Sequence, residues 1–210
     1  MKKQHLAVLA LSGLALAAQD HSVSLLYTMS KPNDYTVSGG GPKIETDTYK
    51  GMGLRYGQTV GKAFGGARLD FEGTWKLRTS GQDVKFDGTN INSGGTTYAM
   101  RQESLGLGLA ATWTKVVDFG AVLDLRSETT SLQIKDNSGT QMDLDQTAIR
   151  PWLGFRVGYT FATKSVKPTV GFEYGLPLTK REGGELQTEI DMARKLRPKS
   201  EMTLTAGLRF

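Results

Sequence analysis

Acid–base and nucleophilic chemistry need a histidine, a thiol or a pair of carboxylates held at working distance. The 210-residue chain has no Cys and two His. The missing Cys excludes disulfides, thiol nucleophiles, iron–sulfur clusters and Cys-ligated zinc together. His5 falls in the N-terminal segment, just ahead of an apolar run. His21 stands beside Ser22, but neighbours on an extended chain point to opposite faces, so they do not make a nucleophile–base pair. Asp70 and Glu72 are two apart and share a face. Arg68 and Lys76 lie on that same face, so ion pairing is the expected role, ahead of acid–base work. Asp143 and Asp145 have a spacing that Ca²⁺ could use, against the plainer reading of solvated loop charge. No enzyme activity, metal or cofactor is expected from this inventory.

The elements that would position these residues follow from periodicity. Lys2 and Lys3, the apolar run Leu6–Leu16 and the small-x-small site Ala15-Leu16-Ala17 predict a cleaved signal peptide over residues 1–18. Residues 19–210 form the remaining unit. Beyond the signal no apolar stretch is long enough for a membrane helix. A two-residue alternation runs instead through eight segments. In one, Leu69, Phe71, Trp75 and Leu77 oppose Arg68, Asp70, Glu72, Lys76 and Arg78. In another, Leu105, Leu107, Leu109 and Trp113 oppose Ser104, Gly106 and Gly108. The others begin near residues 22, 48, 119, 150, 170 and 202. Each can hold the roughly 9–11 residues of a tilted membrane strand.

The connections alternate as well. Those near 30–46, 79–97, 129–146 and 179–200 are long and polar, whereas those near 58–64, 114–117 and 162–166 are short. Asp136-Asn137-Ser138-Gly139 has the composition of a hairpin tip. Leu132, Ile134, Met142 and Leu144 around it predict strands projecting past a membrane. Long connections at one end and short at the other match a barrel with long extracellular loops and short periplasmic turns.

Alternation also fits a soluble barrel with its apolar side chains inward. Three features favour the inverted arrangement. The polar face mixes charges with Gly, as at Gly51/Gly53, Gly106/Gly108 and Gly171/Gly175, and a narrow lumen needs small residues beside large ones. The apolar face carries Tyr27, Tyr56, Trp75, Trp113, Tyr159, Phe161 and Tyr174, suited to aromatic girdles. Pro151 lies on that apolar face, read here near a strand start. With 26 Gly and a negative mean hydropathy, the composition speaks against membrane helices only. The net charge is +5, without a basic run long enough for a nucleic-acid arm.

Leu204, Ala206, Leu208 and Phe210 share one face of the last segment, and Phe210 ends the chain. In this the chain resembles bacterial outer-membrane β-barrels, whose last strand carries an assembly signal ending in Phe. Thr205 stands where that signal commonly has Gly. By size it resembles the small eight-stranded type, including OmpA-barrel, OmpX and OmpW-like proteins. The expected fold is therefore all-β, an eight-stranded antiparallel up-and-down transmembrane barrel. The resemblance implies a location in the bacterial outer membrane. It implies lipid and lipopolysaccharide as surroundings, and the barrel-assembly machinery as a partner during insertion.

The expected inward charges are Arg55, Arg68, Asp70, Glu72, Lys76, Asp124, Arg126, Arg156, Glu173 and Arg209. Eight strands enclose a lumen just wide enough for side chains to fill, and buried charges must pair. A salt-bridged, largely closed lumen with a structural or surface-interaction role is the reading. The alternative is an OmpW-like channel for small or hydrophobic solutes, whose sign would be an apolar outer rim, with Val122 and Trp152 as its inward apolar residues. Leu186, Ile190, Ala193 and Leu196 have helical spacing in the fourth long loop. Arg194, Lys195, Arg197 and Lys199 close that stretch and could meet lipopolysaccharide phosphates, or form a solvated charged loop.

Overall fold

Alternating β-branched, aromatic and small residues suit a pleated ladder, and every alternating segment is built into one. The computed structural model describes residues 20–32, 35–36, 43–80, 84–86, 89–90, 95–163, 165–179 and 196–210. The expected signal peptide, residues 1–18, lies outside the described residues. The barrel strands are β1 (His21–Pro32), β2 (Tyr49–Lys62), β3 (Arg68–Thr79) and β4 (Thr97–Thr114), followed by β5 (Asp118–Lys135), β6 (Gln141–Thr160), β7 (Lys167–Pro177) and β8 (Pro198–Arg209). Each pairs antiparallel with its neighbour in the chain, and β1 pairs with β8. The seam is sealed by the His21 and Phe210 backbones, which exchange N–H···O bonds of 2.9 and 3.3 Å. Closure removes the sheet edges, which matters most where no water can satisfy them.

The apolar rows face outward. Leu25, Leu54, Leu107, Leu123, Phe155, Phe172 and Leu204 are all exposed, while Arg78, Arg126, Lys76 and Glu173 are buried. A continuous apolar band of this kind is far larger than the patches soluble monomers carry. The sense of the barrel is thus the inverted one, with lipid as the solvent for its outer face.

The third long connection differs from its expected extent. The long polar connection expected near 129–146 is mostly strand, in line with the projecting strands that Leu132, Ile134, Met142 and Leu144 predict: β5 continues to Lys135 and β6 starts at Gln141, leaving a five-residue tip. The reason is local. Asp136 Oδ1 accepts from the Ser138 and Thr140 amides, both at 2.9 Å, and Gly139 takes the positive φ of 85° that the turn requires. The paired ranks Tyr98–Ile134–Met142 and Met100–Leu132–Leu144 carry the ladder past the barrel. On the outer face the chain turns polar above Leu105 and Leu125, at Glu103, Arg101, Ser127 and Thr129, so this ribbon projects beyond the apolar band. Between the first two long connections, Tyr35–Thr36, Lys43–Thr46, Val84–Phe86 and Thr89–Asn90 make a second, four-stranded sheet in that order.

Because β6 is extended, Pro151 lies inside a strand and not near its start. It is tolerated because its carbonyl faces β7, accepting the Leu178 amide at 2.8 Å just past the last β6–β7 pair, Trp152↔Pro177. The missing donor falls where that ladder ends. Glycine has a separate task inside the barrel. A Cβ at Gly51 would stand 1.8 Å from the Leu77 carbonyl, and one at Gly108 would stand 2.6 Å from Asp124 Cβ. Both backbones come too close to their neighbours for any side chain.

Candidate functional site

Strand parity delivers the inward residues of all eight strands to one narrow lumen, where they stack in charged layers. At the short-turn end Arg209 meets Asp20 at 2.8 Å and Arg68 meets Asp70 at 2.7 Å. Asp70 also accepts the Thr59 hydroxyl at 2.7 Å. Above them is a quartet from four strands. Arg156 holds Glu72 with two bonds of 2.6 Å and donates from Nε to Glu173 at 2.5 Å. Arg55 donates to Glu173 at 2.7 Å and lies 3.5 Å from Glu72. Two guanidinium and two carboxylate groups thereby neutralise one another out of bulk water, the condition for burying charge at tolerable cost.

The next layer centres on Glu201. Its carboxylate receives Lys76, Arg78 and Arg126, the last at 3.0 Å. Arg126 also donates to Asp124 at 2.8 Å, and its far nitrogen lies 3.9 Å from Glu173, joining this layer to the quartet. Arg78 further bonds Ser30 at 2.5 Å and Ser104 at 3.0 Å. The Trp152 ring is fully buried under two cations, with the Arg126 guanidinium carbon 4.4 Å from its centroid and that of Arg150 5.3 Å away. Arg150 is anchored by Glu128 at 2.9 Å and by the Pro198 carbonyl.

The long-loop mouth is apolar. Tyr49, Met100, Leu132 and Leu196 are each fully buried there. Met100 and Leu132 are cross-strand partners, and the Tyr49 hydroxyl donates to the Leu196 carbonyl at 3.0 Å. At the opposite end a cavity of about 110 Å³ has Arg55, Arg68, Glu72, Arg156, Glu173 and Arg209 among its lining residues. It ends at the quartet.

All ten expected lumen residues point inward, and each makes an ion pair. The partners differ in part from the expected ones. Lys76 does not join Asp70 or Glu72; it goes to Glu201, and the cations on Glu72 are Arg156 and Arg55. Arg78, Glu128, Arg150, Glu201 and Asp20 join the network beyond the expected set. Four of them have inward parity that the sequence itself carries: Glu201 is two positions before Thr203 on the inward row of β8. Val122 is inward and 2% exposed, but it lies near the short-turn end, not at the outer rim. The apolar rim is made by Tyr49, Met100, Leu132 and Leu196 instead.

The outward and loop residues are placed as follows. Leu204, Ala206 and Leu208 form one exposed row on β8, which Phe210 continues just past its end. Arg197 is only 8% exposed, which takes its side chain out of the expected set of outward phosphate contacts. Lys199 is half-buried, and Arg194 and Lys195 lie outside the described residues. The helical spacing from Leu186 to Ala193 also falls outside them. Asp143 and Asp145 sit on the outer face of projecting β6, where Asp143 accepts from Gln141 at 2.8 Å. His21 points out of the barrel, its Nδ1 2.8 Å from the Tyr56 hydroxyl, on the face opposite the lumen carboxylates.

No family profile and no curated protein matches the chain. Solved structures do. A major outer membrane protein from Thermus thermophilus superposes with a TM-score of 0.56 at 13% identity, covering 90% of this chain and 99% of that one. Neisserial surface protein A gives 0.49 at 14%, covering 90% and 94%. Ail of Yersinia pestis, in complex with the heparin analogue sucrose octasulfate, gives 0.47 at 15%, covering 92% and 99%. At these identities the likeness is one of fold, and with the Thermus protein the chain shares the eight-stranded antiparallel barrel of small outer-membrane proteins.

Proposed function

We propose that this chain is an integral, non-enzymatic protein of the bacterial outer membrane. Its lumen is held shut by ion pairs, and its work is structural or done at the surface by the projecting β4–β5–β6 ribbon. The observation that carries the closed lumen is the stack of charge layers from Arg209–Asp20 up to Arg150–Glu128, capped by Tyr49, Met100, Leu132 and Leu196. Removing one member of a buried pair costs about 3–5 kcal/mol, so opening a path through several layers is far outside thermal reach. The apolar outer face supports the membrane location. The exposed row Leu204, Ala206, Leu208 and Phe210, on the strand that closes the barrel, supports its reading as the signal taken by the assembly machinery.

Two measurements test this. Membrane fractionation with heat-modifiable migration in detergent gels should place the folded protein in the outer membrane; a soluble periplasmic pool would end the reading. In planar bilayers the purified barrel should be electrically silent. Reproducible ohmic steps would instead favour passage of small solutes through the lumen.

A further inference from the structure

The short-turn mouth of the lumen gathers like charge. Lys62 is in register with Arg68 and Lys167 with Arg209, so both lysines share the inward parity of those arginines. Like charges set directly opposite on neighbouring strands repel. The carboxylates that answer these four cations are Asp70, which takes Arg68, and Asp20, which takes Arg209. Among the described residues neither lysine makes an ion pair. Of the other acids at this end, Glu72 and Glu173 are closed into the quartet with Arg55 and Arg156. Asp118, on β5, accepts the Thr114 and Thr160 hydroxyls at 2.6 and 2.5 Å.

Behind this mouth lies the cavity that ends at the quartet, and its wall holds donors that the ion pairs leave unused. A guanidinium carries five N–H groups. Arg68 gives Asp70 only its Nε, and Arg209 gives Asp20 only its Nη2. The other nitrogens of both make no hydrogen bond among the described residues. The buried Nε of Arg55 lies 3.5 Å from Glu72 and has no hydrogen-bond partner. Ser22, Ser24 and Thr205 line the same cavity, and their hydroxyls are likewise unengaged among the described residues. Glycine makes room for each of them. A Cβ at Gly57 would stand 2.6 Å from Ser22 Oγ, one at Gly171 would stand 2.9 Å from Thr205 Oγ1, and one at Gly207 would press on Ser24 Oγ.

We propose that this blind cavity is a binding site for a small tetrahedral oxyanion of the phosphate or sulfate class, reached from the short-turn mouth. Arg68 and Arg209 supply forked N–H donors, which match pairs of oxygens on such an ion. The Ser22 and Ser24 hydroxyls, on β1 beside the Arg209 strand, serve its remaining oxygens. Lys62 and Lys167 draw the anion to the mouth, and its charge relieves their repulsion with the two arginines. A cation would meet four like charges first and find Asp118 as the lining carboxylate without an ion pair. A halide would leave the forked donors half used. Because the cavity stops at the quartet, the ion enters and leaves by one mouth, and the site works with the lumen closed.

The test uses the full barrel in non-ionic detergent, with inorganic phosphate as the probe. Binding is read by titration calorimetry and by broadening of the phosphate ³¹P resonance. The wild type should bind phosphate saturably, one ion per barrel. Sulfate should compete, whereas chloride at the same ionic strength should not. R68Q/R209Q should weaken binding about tenfold or more, and K62Q/K167Q about threefold. K31Q/K50Q/K135Q, altered at the opposite end, should bind as the wild type does. Heat-modifiable migration reports whether each variant is folded. If R68Q/R209Q is not, because Asp70 has lost its partner, R209Q alone should still weaken binding measurably. No saturable phosphate binding by the wild type, equal displacement by chloride, or undiminished affinity in the folded short-turn variants overturns the inference.

Discussion

Arg156 of β6 grips Glu72 of β3 through two parallel bonds of 2.6 Å, Nη1 to Oε1 and Nη2 to Oε2. The residues are 84 positions apart in sequence and come from strands three apart around the ring, so the pair braces the barrel across its width. Such a fork-to-fork pair fixes geometry as well as charge. Arg156→Ala strips Glu72 of its main partner and should cost about 3–5 kcal/mol. Arg156→Gln combined with Glu72→Gln should cost less than the sum of the two single changes. Urea unfolding in detergent, read by gel mobility, measures the cycle; additive losses would mean the pair is not coupled.

Glu201 is the counter-ion of three cations, whereas Asp124 meets Arg126 alone. Glu201→Gln leaves Lys76, Arg78 and Arg126 crowded around a neutral group. It should destabilise by roughly 3–5 kcal/mol, and clearly more than Asp124→Asn in the same assay. The reverse order would remove Glu201 from the centre of the layer.

Trp152 fills the lumen between Arg126 and Arg150. Trp152→Ala loses its packing and both cation contacts, for an expected loss of about 3–5 kcal/mol. Trp152→Phe keeps an aromatic face for the guanidinium groups and should recover a substantial part. Equal losses for the two variants would show that volume alone is at stake.

The hairpin tip has a titratable lock. The Ser138 hydroxyl, and then the Thr140, Ser138 and Gly139 amides, hold the Asp136 carboxyl below its ordinary range. A depressed carboxyl contributes stability that is fully present above its unfolded value of about 4 and lost as pH falls through the lowered folded value. The tip should therefore be unaffected from neutral pH down to about 4 and loosen only below it. In NMR titrations the Ser138 and Thr140 amide resonances should move together with one transition, below that of a free Asp. Asp136→Asn should abolish the transition.

The two-residue period determined much of this protein from the sequence alone. It marked eight strands, separated the lipid row from the lumen row, and put Arg55, Glu72, Arg156 and Glu173 on the inward side. It could do so because side-chain direction in a strand depends only on parity, which is a local property. Parity also contained Glu201, Arg78 and Arg150, but the ends of strands were blurred where polar residues continue the ladder past the membrane. There the hydrophobic signal stops while the backbone pairing does not.

Depth and partnership belong to the tertiary structure. Lys76 finds Glu201 across 125 positions, and Tyr49 reaches Leu196 across 147. Val122 sits near the short-turn end, and Arg197 turns out of solvent. None of these follows from residue type or spacing, because a period of two tells which side a residue faces and not how high it stands. Height is set by the register of eight ladders and by the tilt needed to close them into a ring. Only when that ring closes does each buried cation acquire a particular carboxylate.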